Sequence, residues 1–104
     1  MARMLVIYKT PEDKDAFDKH YFEVHIPLAK KLPGLIKYEV SKSPIIAITG
    51  DSDTYLIGTL HFDNLNAIKT AFATEEGQAC AADRKILAPD DDKIQMYLFD
   101  SVDV

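Results

Sequence analysis

Thr54-Tyr55-Leu56-Ile57-Gly58-Thr59-Leu60-His61-Phe62 is the stretch whose reading decides the fold. Its β-branched and aromatic residues make it a strand. A strand with one face in water alternates apolar and polar side chains. Here the odd positions Tyr55, Ile57 and His61 and the even positions Leu56, Leu60 and Phe62 are all bulky. Met4-Leu5-Val6-Ile7-Tyr8 is likewise apolar on both parities, and so is Ile94-Gln95-Met96-Tyr97-Leu98-Phe99 apart from Gln95. A sheet of such strands has two faces to cover.

Working outward, Thr10 suits a helix N-cap, Pro11 the first helical position, and Glu12 and Asp13 the positive end of the helix dipole. Phe17, Tyr21, Val24 and Leu28 then form one helical stripe. The spacing predicts a helix over residues 12–24, a kink near His25-Ile26, and a short turn starting at Pro27, which cannot donate a backbone hydrogen bond. Pro33-Gly34 ends that segment, and Leu35 to Lys42 reads as a second strand with Ile36, Tyr38 and Val40 on one face. Ser43 to Asp53 is irregular, yet its run Ile45-Ile46-Ala47-Ile48 is expected to cover something. Asp63 or Asn64 caps a helix with Leu65, Ile68 and Phe72 buried. Thr74 caps the next helical stretch, in which Ala79, Ala82 and Ile86 continue the stripe. The order β-α-β-β-α-β is an α+β, ferredoxin-like arrangement: a four-stranded antiparallel sheet with helices on one face. The chain has no spare element for the other face. The expectation is a homodimer formed face to face through the sheet.

The totals fit one domain: 104 residues, 47% hydrophobic and 28% charged. A formal charge of −5 and scattered basic residues argue against nucleic acid and anionic membranes as partners. No apolar run approaches the roughly 20 residues of a membrane span, and Met1 to Lys9 is too short an apolar run for a signal peptide, so a cytoplasmic protein is expected. The single cysteine, Cys80, reads as a small buried residue.

Few residues offer chemistry. His25 leads: it lies four residues after Tyr21 and two before Pro27, where an imidazole near a helix end can act as general acid or base. The alternative is that His25 satisfies carbonyls freed by the proline. His20 and His25 are five apart, about 140° around an α-helix, which separates them to different faces. His20 reads as a partly exposed helix residue. Among the five tyrosines, Tyr8, Tyr21, Tyr55 and Tyr97 are candidates to line a ligand cavity, with His61 from the third strand; buried hydroxyls need partners. Asp83, near a buried stripe, can pair with His25, Arg84 or Lys85. No phosphate loop, nucleophile elbow, paired carboxylates or metal-ligand spacing is present, so no cofactor and no metal is expected.

Phe17, Tyr21, His25-Ile26-Pro27-Leu28 and Leu32-Pro33-Gly34-Leu35 together resemble the signature of the EthD family, named for a protein linked to bacterial ethyl tert-butyl ether degradation. Leu60-His61-Phe62-Asp63 and the late Asp83 extend the resemblance over essentially the whole chain, with His61 departing from the Trp or Tyr common there. The resemblance implies a dimeric α+β barrel. It also implies a superfamily that includes small monooxygenases, isomerases of the muconolactone isomerase type, cyclases and haem binders. The resulting reading is a protein that binds or transforms a small, largely apolar organic molecule by cofactor-free oxidation or isomerisation, with His25 as acid/base. The competing reading is a non-catalytic hydrophobic-ligand or accessory module supporting a partner oxygenase.

Overall fold

Strands Ala2–Lys9 (β1), Lys37–Val40 (β2), Thr54–Phe62 (β3) and Ile94–Asp100 (β4) form one antiparallel sheet of order β2-β3-β1-β4 in the computed structural model, which describes residues 1–50 and 53–104. The helices are Lys14–His20 (α1), Ile26–Ala29 (α2), Leu65–Ala73 (α3) and Glu75–Leu87 (α4). This is the α+β, ferredoxin-like architecture expected from the sequence. Ala2, Met4, Val6 and Tyr8 of β1 and Leu56, Leu60 and Phe62 of β3 are buried beneath the helices. The opposite face carries Leu5, Ile7 and Ile57, half-buried, with Tyr97 and Phe99 exposed beside them. β4 is an edge strand, and Met96, Tyr97, Leu98 and Phe99 are exposed on both of its faces.

The first helix differs from expectation in its start and its course. Asp13, not Thr10, is the N-cap, its carboxylate accepting from the Ala16 N–H at 3.0 Å. Tyr21–His25 is instead a π-helical segment, in which the Ile26 N–H donates to the Tyr21 carbonyl, and the helical path continues to Ala29. The wider turn accommodates Pro27, which lacks a donor and crowds the carbonyl four residues earlier. It also changes the buried stripe to Phe17, Tyr21, His25 and Ala29, while Val24 is exposed. At about 100° per residue a spacing of four drifts by about 40° a step. The π segment removes that drift and turns His25 toward the sheet.

The second strand is shorter than expected, and Ile36 before it is exposed. Ile46 and Ile48 are also exposed rather than covering the chain's own core; Asp51 and Ser52 of that irregular stretch lie outside the described residues. In β3 the pairing with β1 shifts at Tyr8/Lys9, leaving Tyr55 as an extra residue. Such a bulge re-aims a side chain. Tyr55 consequently meets Phe17 edge to face and donates to Asp18 Oδ1 at 2.8 Å instead of sharing a face with Ile57.

Asn64 and Thr74 cap α3 and α4, accepting from Ala67 and Gly77 N–H groups at 2.8 and 3.1 Å. The buried stripe of α4 is Gly77, Cys80 and Asp83, not Ala79, Ala82 and Ile86, which are exposed. Gly77 sets this rotation by packing against α3: a Cβ there would lie 2.3 Å from the Ala71 carbonyl oxygen and 2.4 Å from Phe72 Cα. Backbone cannot yield as a side chain can. Gly77→Ala is therefore expected to lower unfolding free energy by about 2–3 kcal/mol, read from the midpoint of urea denaturation.

Candidate functional site

A cavity of about 120 Å³ lies between the sheet and the helices. Tyr8 and Val6 rise from β1, Tyr21 and His25 descend from the π segment, Tyr38 enters from β2, and Cys80 and Arg84 close it from α4. Exposed Ala81 and Met96 lie at its rim. Its surface is mainly apolar with a few polar tips, the usual constitution of a small-molecule site.

Asp83 organises the polar end. His25 Nδ1 donates to Asp83 Oδ2 at 2.9 Å, and His20 Nε2 donates to Oδ1 at 2.8 Å. The π turn makes this sharing feasible, because its i→i+5 bonding places residues five apart close together on one side. The α-helical expectation that His20 and His25 diverge thus fails for a local geometric reason. Asp83 and His25 are both buried, and His20 is partly exposed, as expected. Burial holds the His25 pKa below its ordinary 6.5, while the Asp83 hydrogen bond opposes that shift. His25 makes no side-chain cap; its ring stacks on Tyr21 with centroids 5.4 Å apart. With Nδ1 committed to Asp83, Nε2 is the ring nitrogen without a partner among the described residues.

Three tyrosines complete the wall. The Tyr21 and Tyr38 hydroxyls hydrogen-bond to one another, and Gly58 beneath them makes room: a Cβ there would sit 3.0 Å from Tyr21 Oη. Tyr8 meets Tyr21 edge to face at 5.8 Å. Desolvation raises the pKa of all three, so they are neutral hydrogen-bonding groups at physiological pH. Burial also pushes the Cys80 thiol up to about 11, leaving it a neutral wall residue.

Of the residues singled out in the sequence, the structure brings Tyr8, Tyr21 and His25 to this cavity. Tyr55 lies against Phe17 and Asp18, and Tyr97 is exposed on the far face of β4. His61 is on that far face too, its Nε2 donating to Glu39 Oε1 at 2.6 Å and its ring against the Arg3 guanidinium. Asp83 had three partners open in the sequence; its helical spacing from Cys80 was the available signal. His20, Tyr38 and Arg84 carried none that separates them from ordinary helix and strand residues.

The model of the EthD domain matches residues 9–91, a span that holds the cavity residues except Met4, Val6 and Tyr8 on β1 and the rim residue Met96 on β4. The chain belongs to the EthD family. This EthD protein is 33% identical over 84 residues to an uncharacterised 11.0 kDa protein of the thcB–thcC intergenic region of Rhodococcus erythropolis, covering 80% of each chain. Its structure is similar to that of an EthD family protein from Bacillus halodurans C-125, with a TM-score of 0.87, 31% identity and coverage of 98% and 99% of the two chains. More distant structures share the fold. SnoaB, a cofactor-independent oxygenase from Streptomyces nogalater, matches with a TM-score of 0.67 at 13% identity over 99% and 94% of the chains. A dimeric ferredoxin-like protein of unknown function from Jannaschia sp. CCS1 matches with a TM-score of 0.68 at 16% identity over 97% and 100%.

The site's titration has a definite sign. Above pH 6.5 His25 is neutral folded or unfolded; below it, the unfolded chain takes up a proton that the folded site resists. Stability is expected to fall as pH drops through 6.5 toward the lower folded pKa. Asp83→Asn removes the influence that opposes the shift, so the His25 pKa, followed by NMR of the ring carbons, is expected to fall further; an increase would contradict the pairing.

Proposed function

We propose that this protein is a homodimeric enzyme that transfers a proton within a small, largely apolar, oxygen-bearing organic molecule held in the cavity. The observation that carries this reading is His25 on the wall of an apolar pocket, its Nδ1 held by Asp83 and its Nε2 without a partner among the described residues. A neutral imidazole whose Nδ1–H is fixed by a carboxylate presents its other nitrogen as a general base. The base takes a proton from carbon or oxygen beside a carbonyl or phenol. The C–H or O–H pair moves into the substrate's π system, charge gathers on the substrate oxygen, and tyrosine hydroxyls stabilise it. Return of the proton from His25 at another carbon completes an isomerisation with no redox partner. Oxygenation of the same electron-rich anion by dioxygen is the alternative fate, consistent with the chemistry named for SnoaB. The reading as a non-catalytic hydrophobic-ligand module is less well supported, because such a module has no need for a buried carboxylate bridging two histidines.

Face-to-face dimerisation is proposed on the two-sided apolar sheet and the open β4 edge. The dimeric state named for the Jannaschia sp. CCS1 protein supports it. It gives the exposed Tyr97 and Phe99 and the Arg3–His61–Glu39 cluster a covered setting. Sedimentation equilibrium at micromolar concentration should give twice the 11.7 kDa chain mass; a single-chain mass would overturn dimerisation. A screen of monocyclic ketones, phenols and lactones for loss of deuterium to solvent should find exchange in the wild type and about a hundredfold less in His25→Ala. Equal exchange in both would remove His25 from the mechanism.

A further inference from the structure

Two polar groups on the cavity wall are not used by the proton-transfer pair. The first is the Tyr8 hydroxyl. Tyr8 is 1% exposed, and its Oη is the single buried side-chain polar atom without a hydrogen-bond partner among the described residues. An unmet buried hydroxyl is destabilising, so a ligand atom that satisfies it gains that interaction. The second is Arg84. It lines the same cavity, is half-buried, and its guanidinium has no ion pair or hydrogen bond among the described residues. Its neighbour Asp83 pairs instead with His20 and His25. The guanidinium charge nevertheless reaches the interior, favouring the phenolate of Tyr8 and disfavouring the imidazolium of His25.

A permanently charged, unmatched guanidinium at the edge of a pocket selects an anion, and its fork matches a carboxylate in two hydrogen bonds. Size narrows the class. The cavity is about 120 Å³, slightly smaller than the ~150 Å³ engineered cavity that holds benzene in another protein. The open rim at Ala81 and Met96 leaves room for a charged head beyond the ring.

We infer that the ligand is a small organic carboxylate of about one ring, its head against Arg84 and one of its oxygens accepting from the Tyr8 hydroxyl. This deepens the proposed function and rests on it: the pocket is the same, and its substrate class becomes an acid rather than a neutral molecule.

The test pairs benzoate with its neutral isostere benzamide, titrated into the full-length protein and followed by calorimetry and by ¹H–¹⁵N shifts of cavity residues. Benzoate is expected to bind at least about tenfold more tightly than benzamide. Arg84→Gln should weaken benzoate about tenfold and leave benzamide unchanged, while Arg84→Lys, which keeps the charge but not the fork, should lose severalfold. Tyr8→Phe should weaken benzoate severalfold in a protein whose remaining shifts are unaltered. Equal binding of the two probes, or equal weakening of both by Arg84→Gln, overturns the carboxylate class and leaves the cavity reading standing. If neither probe moves the cavity resonances, the carboxylate class and the cavity reading fall together.

Discussion

One carboxylate shared by two imidazoles holds the cavity side of this molecule in place. Asp83 is buried, and an ion there is tolerable only when both oxygens are met. His20 and His25 meet them, which ties the first helical segment to α4 at the level of the cavity. The sharing depends in turn on a backbone irregularity. Five residues separate the histidines, and the π segment Tyr21–His25 brings them to one side. Pro27 gives that segment a cause. A residue that forbids a regular helix is thereby linked to the aim of the proposed base.

The sheet supplies the complementary constraint. Gly58 leaves space where a side chain would press on the Tyr21–Tyr38 hydroxyl pair, and burial keeps those tyrosines neutral. Gly77 does the same for α4, whose close approach to α3 decides that Cys80 and Asp83, rather than the neighbouring alanines, face inward. Two glycines that admit close contact and one carboxylate that fixes rotation thus position the residues that line the cavity. The opposite sheet face, apolar at its centre with an Arg3–His61–Glu39 cluster at one side, lies away from the pocket and is the surface of the proposed dimer.

The fold was legible because β3 and the proline-bounded segments carry strong local signals: Thr54–Phe62 is the strand that its composition indicates, and Asn64 and Thr74 cap as their side chains suggest. The EthD resemblance rested on His25, Pro27, Leu28 and the Leu32-Pro33-Gly34 turn, and it places the chain in its family. The candidate site was legible only in part. A stripe counted at α-helical spacing assigns Val24 to the interior and parts His20 from His25, since periodicity assumes a uniform turn. Parity counting along β3 fails at Tyr55 for the same reason, because a bulge adds a residue that no pattern announces. Arg84 escapes any sequence reading: that its guanidinium lacks a partner among the described residues is a property of three dimensions.

The state of the His25 ring is the quantity on which the account turns. Long-range ¹H–¹⁵N NMR of the histidine nitrogens at pH 7 measures it. A proton on Nδ1, donated to Asp83, with Nε2 in the unprotonated range is the result expected here. An Nε2–H tautomer, or an imidazolium at that pH, would contradict it.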